Sequence, residues 1–192
     1  MPIQILSEQT IGKIAAGEVI ERPVSIAKEL LENAIDAGSR TIAIEIREGG
    51  LREIRISDDG CGIPSEELPL ALHRHATSKL QVFEDLAAIH SLGFRGEALS
   101  SIAAIARIQI RTAVQDAKSG SLLTAAYGSV PSIEAAAPRP GTTVTVNDLF
   151  QNVPARLKFL RQPQSEASLI SRMAVAYAAH HPEIAISLTN DG

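Results

Sequence analysis

Cysteine occurs once in 192 residues, as Cys61, which rules out an internal disulfide and a thiolate cluster for zinc. Tryptophan is missing and aromatic residues make up only 3% of the chain, which argues against a platform of stacked bases for single-stranded nucleic acid. No run approaches the ~18 apolar residues of a membrane helix. The N-terminal MPIQILSEQT also lacks the basic-then-apolar order of a signal peptide. No membrane association is expected, and the cytoplasm is the default location. A net charge of −4 offers no overall attraction to DNA, so any such contact must be weak or local. The phosphate-cradling GxxxxGKS/T, the nucleophile elbow GxSxG and the calcium-loop series with its distal Glu are all absent.

What the chain does have is a core. Its 45% hydrophobic content and its length fit one domain spanning 1–192, and no repeat or linker interrupts it. A short helix is expected over Ser7–Ala16, and a longer one starts at Pro23, which suits a first helical turn, and ends at Gly38. In the second helix Ala27, Leu30, Leu31 and Ala34 share one face. Glu29, Asn33 and Asp36 lie within about 60° of each other on the other side, at ~100° per residue. TIAIEI and LREIRIS alternate around Gly49-Gly50 and read as paired antiparallel strands. Helices are expected in SEELPLALHRHA, FEDLAAIH, EALSSIAAIA, PARLKFL and ASLISRMAVAYAAHH, and strands in RIQIRT, SLLTAAY, SIEAA, TTVTVND and EIAISLT. The fold class is α+β, a two-layer sandwich with helices on one face of a mixed, mostly antiparallel sheet. Asn190-Asp191-Gly192 reads as a turn after the last strand, and more chain is expected to follow.

Four stretches could carry chemistry. In ELLENAID, Glu29 and Asn33 are spaced i, i+4 and project together. The row reads either as a solvated helix face or as a site. In a site, the neutral amide oxygen of Asn33 suits Mg²⁺ beside phosphates, and Glu29 can deprotonate a water. In SDDGCGIP, Asp58, Gly60 and Gly62 form either a tight acidic turn or a pocket in which a carboxylate accepts from an exocyclic amine. In LGFRGEALSS, Gly93 and Gly96 bracket Arg95 ahead of a helix, as a simple corner or as a cradle of backbone amides for an anion. Thr77, Ser78 and Lys79 could add to that anion site or merely bound a helix. In GTTVTV, Thr142 could reach a base edge through water, although threonines in a strand need no such role. His73 and His75 have no partner cluster for a metal. Cys61 has no base beside it, and Arg156, Lys158 and Arg161 read as a solvated face or a local phosphate contact.

The ordered set ExxxN, DxGxG, GFRGEAL, GT is more specific than any of its members. It resembles the GHKL ATPase superfamily of type II topoisomerase ATPase domains, large heat-shock chaperones and sensor histidine kinases. IAAGEVIERPVSIAKELLENAIDAG, DDGCGI, RHATSK, LGFRGEALSSI and GTTVTVNDLFQNVPARLKFL look like signatures of its DNA mismatch repair branch. That resemblance implies ATP and Mg²⁺ as cofactors, with Glu29 as general base and Asn33 as metal ligand. It implies Asp58 on the adenine amino group, Gly60 and Gly62 along the base pocket, and Thr142 assisting through water. Thr77, Ser78 and Lys79 would belong to a lid, and the amides of Gly93, Phe94, Arg95, Gly96, Glu97, Ala98 and Leu99 would cradle the phosphates. Ala34 and Asp59 stand where the branch commonly has Ser and Asn, departures expected to be neutral. The branch's next domain supplies a lysine to the terminal phosphate, so hydrolysis by this chain alone should be impaired. The implied role is an ATP-gated switch that dimerises on binding ATP. It would couple a MutS-like mismatch recognition protein to a downstream nuclease or helicase. A topoisomerase ATPase subunit, a sensor-type kinase and a non-hydrolysing adaptor are the alternatives.

Overall fold

Alternation of Ile42, Ile44 and Ile46 in β1 (Thr41–Arg47) and of Ile54 and Ile56 in β2 (Glu53–Asp58) puts all five side chains on one face, each at most 2% exposed. A computed structural model describes residues 11–12, 16–17, 19–73, 76 and 96–191. The remaining strands are β3 (Arg107–Ala113), β4 (Gly120–Ala126), β5 (Ser132–Ala136), β6 (Gly141–Asn147) and β7 (Ala185–Asn190). They form one sheet in the order β5-β4-β3-β6-β2-β1-β7. Every pairing is antiparallel except β1 with β7. Ile108, Ile110, Leu123, Val144 and Val146 extend the apolar face. The helices α1 (Pro23–Asp36), α2 (Ala98–Ile105) and α4 (Pro163–His180) contribute to the same core. Burying an isoleucine or leucine side chain contributes roughly 1.5–3 kcal/mol, so this one interface dominates the stability of the sheet. The opposite face is polar, with Arg55, Arg107, Gln109, Arg111, Thr143 and Thr145 at the alternate positions. This is the expected two-layer α+β sandwich.

The apolar stripe of α1 is buried as its periodicity predicts, with Ile26, Ala27, Leu30, Leu31 and Ala34 at 3% exposure or less. Pro23 sits in the first turn. The helix stops where Gly38 takes φ 73° and its amide donates to the Ile35 carbonyl, while Ser39 N–H donates to Ala34. This is the left-handed ending that glycine permits. Gly49 and Gly50, both at positive φ, close the β1–β2 hairpin through a short 3₁₀ turn, Glu48–Gly50.

Three expected helices differ. Among its described residues SEELPLALHRHA forms a turn and a 3₁₀ segment, Leu68–Leu72, in which Pro69 lacks the N–H that an α-helix would use. PARLKFL gives a single turn, α3 (Pro154–Leu157), and leaves Leu157 40% and Phe159 84% exposed, so of its large apolar residues only Leu160 packs against the core. The last helix starts earlier than expected, at Pro163, whose fixed φ suits the first helical position. Of the N-terminal helix, Ile11, Gly12 and Ala16 are helical, as are Gly17 and Val19 beyond its expected end. The rest of Ser7–Ala16, and FEDLAAIH, lie outside the described residues. Among the described residues no helix is long and apolar enough to cross a membrane.

Candidate functional site

The end of β2 and the end of α1 meet at one corner, and Asp58 occupies it. Its Oδ1 accepts from the backbone N–H of Gly60 (2.9 Å) and of Thr142 (3.3 Å). Ser39 Oγ, which donates to the Ala34 carbonyl at 2.6 Å, also lies 3.3 Å from that oxygen. Cys61 N–H donates to the Ala37 carbonyl (3.0 Å), stitching the DxGxG loop to the helix end. The bonds to this carboxylate among the described residues all fall on Oδ1, so Oδ2 is the oxygen available to a ligand's donor. Burial pushes the Asp58 carboxyl above the usual carboxylate range, against the three bonds, and the neighbouring Asp59 charge adds to the rise. Asp59 behaves oppositely. It accepts from the amides of Thr41 and Arg40, both at 2.8 Å, and these hold its carboxyl low.

The glycines of this corner are consumed by the protein's own backbone. A Cβ on Gly60 would lie 2.7 Å from Ala37 Cβ and from Ser39 Oγ. Gly62 (φ 72°) and Gly141 (φ 96°) sit against the carbonyls of Ala113 and Asp58, where any side chain would collide. The residue types anticipated for approach to a flat ligand therefore also let three segments converge on Asp58. Thr112, 1% exposed, locks that convergence. Its hydroxyl accepts from Ile63 N–H (2.8 Å), lies 3.2 Å from the Gly141 carbonyl and bonds Thr142 Oγ1 at 3.1 Å. Sequence reasoning passed over Thr112, because a strand threonine carries no local signal of its partners.

Along α1, Glu29, Asn33 and Asp36 form the half-exposed row expected from their spacing, on the side away from the apolar stripe. Glu32 departs from it. It is 4% exposed, and its Oε1 accepts from Lys28 Nζ (2.7 Å) and from the Tyr177 hydroxyl of α4 (2.5 Å). Burial first, then the bond and charge of Glu32 and the charge of Glu29, push the Tyr177 hydroxyl well above its ordinary value. Neither Glu32 nor Tyr177 was singled out from the sequence. The only available signal was the i, i+4 spacing of Lys28 and Glu32.

At the other end of the site, Glu97 precedes α2, whose first residues are Ala98 and Leu99. Gly96 (φ 62°) packs so closely on the backbone of Ala76 that a Cβ would lie 2.6 Å from the Ala76 carbonyl. The segments expected to form a lid and a phosphate cradle thus touch at their described ends. Thr77, Ser78, Lys79, Gly93, Phe94 and Arg95 lie outside the described residues, as does His75. Among the described residues no three His, Cys, Asp or Glu side chains converge. A cation held by few protein ligands relies on phosphates and water to complete its shell, and the amide oxygen of Asn33 is a ligand of that kind.

A mixed sheet with helices on one face, a carboxylate at the strand-to-glycine corner and an ExxxN helix beside it define a nucleotide-binding class. The chain belongs to the histidine kinase-, DNA gyrase B-, and HSP90-like ATPase family, whose model matches residues 18–150. Within that family its likeness is to DNA mismatch repair protein MutL. It is 51% identical to MutL of Agathobacter rectalis over 98% of this chain, and 49% identical to that of Desulforudis audaxviator over 99%. The chain spans 29% and 34% of the length of those two relatives. The solved Aquifex aeolicus MutL ATPase domain complexed with ADP superposes with a TM-score of 0.73 at 29% identity, covering 91% of this chain and 62% of that one.

Proposed function

We propose that this chain binds ATP and hydrolyses it slowly, as the switch domain of a MutL-like mismatch repair protein. The observation that carries the reading is the Asp58 corner. Three bonds orient one carboxylate oxygen, which leaves the other to accept from the adenine amino group. Thr142, tied to Thr112, assists through water, and Gly60 and Gly62 line the base pocket. The α1 row presents Glu29 and Asn33 on one face, one turn apart, as in-line attack on a terminal phosphate requires. Glu29 accepts the proton of the attacking water. Asn33 is the ligand for Mg²⁺, which when bound neutralises charge on the phosphates. The GFRGEAL amides hold those phosphates, and Thr77, Ser78 and Lys79 belong to the lid over them.

In this reading residues 1–192 are one domain of a longer protein. A following domain supplies the lysine that this chain lacks, so the isolated chain turns over more slowly than a longer one. ATP binding promotes dimerisation, and the dimer relays mismatch recognition by a MutS-like partner to a downstream nuclease or helicase. Glu29→Ala tests the chemistry in the full-length protein. ATP should bind with unchanged affinity while steady-state phosphate release is lost, and normal release would sink the assignment of the base.

A further inference from the structure

Helix α4 lies beyond the residues matched by the family model, yet it is tied to α1 at two points. Near the start of α1, Arg22 Nη2 is 3.4 Å from Glu166 Oε1, and Glu166 is fully buried. Toward its end, Glu32 receives the Tyr177 hydroxyl. The ties are ten residues apart on α1 and eleven on α4, about 15–17 Å at the helical rise, so the two helices run side by side in the same direction and in register. Tyr177 is backed by His181, whose ring stacks on it with centroids 6.4 Å apart. Of the two oxygens of Glu32, Oε1 takes both Lys28 and Tyr177, while Oε2 is buried without a hydrogen-bond partner.

We infer that Tyr177 and Glu32 are positioning residues for ATP hydrolysis: by holding the buried Glu32 carboxylate, the Tyr177 hydroxyl sets the roll of α1 and so the aim of Glu29 and Asn33. This rests on the reading of Glu29 as the base. Apolar burial fixes how deeply α1 sits but is non-directional, whereas a hydrogen bond to a carboxylate oxygen is directional. Glu32 follows Glu29 by three residues and precedes Asn33 by one, so a constraint on Glu32 is a constraint on both. With side-chain tips about 5–6 Å from the helix axis, a roll of roughly 10° moves them by about 1 Å. A displacement of that size at a reacting centre can cost about 100-fold in rate.

The test uses the full-length protein with Tyr177→Phe, Glu32→Ala, Glu32→Gln and, as a control, Glu29→Ala. Steady-state phosphate release gives kcat and KM, and thermal melting follows the fold. Tyr177→Phe should lower kcat about tenfold, with KM within about twofold of wild type. Glu32→Ala should do at least the same. Glu32→Gln keeps an oxygen acceptor for the tyrosine and should return to within about threefold of wild type. If Glu32→Ala fails to fold, Tyr177→Phe and Glu32→Gln carry the test. Wild-type kcat in Tyr177→Phe, or a fall no larger than the loss of folded protein, overturns the inference. So does Glu32→Gln being as slow as Tyr177→Phe. Normal turnover in Glu29→Ala sinks the base assignment instead, whereas its loss alongside an intact Tyr177→Phe sinks only the positioning role.

Discussion

Asp58→Asn separates what the Asp58 corner does for nucleotide from what it does for the fold. The carboxylate is raised because burial outweighs the bonds from Gly60, Thr142 and Ser39. A group whose folded pKa lies above its unfolded value supports the fold fully below the unfolded pKa, about 3.9 for Asp. It loses that support as pH rises through the folded value. The ionised side chain is therefore a cost at neutral pH, and an isosteric amide removes it. Asparagine can still present Oδ1 to the two backbone amides, so the three segments at the corner stay joined. At pH 7 the variant should melt no lower than wild type, and its advantage should vanish as pH falls below about 4.

Binding should move the other way. In place of Oδ2 the variant presents an NH₂ to the adenine amine, donor facing donor. A lost hydrogen bond to a charged group is worth about 1.5–3 kcal/mol, and an unpaired donor adds to it, so ATP should bind on the order of 100-fold more weakly. Isothermal titration of both proteins with ATP, with melting curves from about pH 3 to about pH 8, reads both effects. Affinity within twofold of wild type would refute the adenine assignment, and a lower melting point at pH 7 would refute the sign of the burial effect.

Two further substitutions test the supports. Thr112→Val keeps the shape but leaves Ile63 N–H without its acceptor, which costs about 1–3 kcal/mol, or a Tm lower by roughly 2–10 °C. Affinity for ATP should fall with it, and an unchanged Tm would show that the hydroxyl does not join the segments. Asp59→Ala removes the acceptor of the Thr41 and Arg40 amides. Because that carboxyl is held low, its support is present above the unfolded pKa and is lost as pH falls through the folded one. The variant should melt about 2 °C below wild type at pH 7, with the gap closing in acid; a gap independent of pH would exclude the carboxylate.

Much of the fold was legible because it rests on local periods. The two-residue alternation of β1 and β2 and the ~100° stripe of α1 are properties of a few neighbouring residues, and burial followed them. Proline marked both a start and a failure. Pro23 opened a helix as expected, while Pro69 reduced an expected helix to a 3₁₀ segment, since the missing N–H matters more inside an element than at its start. PARLKFL misled because Leu157 and Phe159 stay exposed and Leu160 alone packs on the core.

At the site, local pattern was enough to show which residues stand in one row on α1 and that a carboxylate meets two glycines after a strand. What those groups touch follows from packing between distant segments. Thr142 is 84 residues from Asp58 and Tyr177 is 145 residues from Glu32, separations set by sheet register and helix packing and by no local pattern. Asp59, noted in the sequence only as a departure from the branch, pins the start of β1 through the amides of Arg40 and Thr41. Glu32 is 4% exposed and accepts from the Tyr177 hydroxyl of α4, which no local pattern in α1 indicated. A hydrogen-bond partner is chosen by which backbone segments pack within 3 Å of each other, and packing is a property of the whole chain.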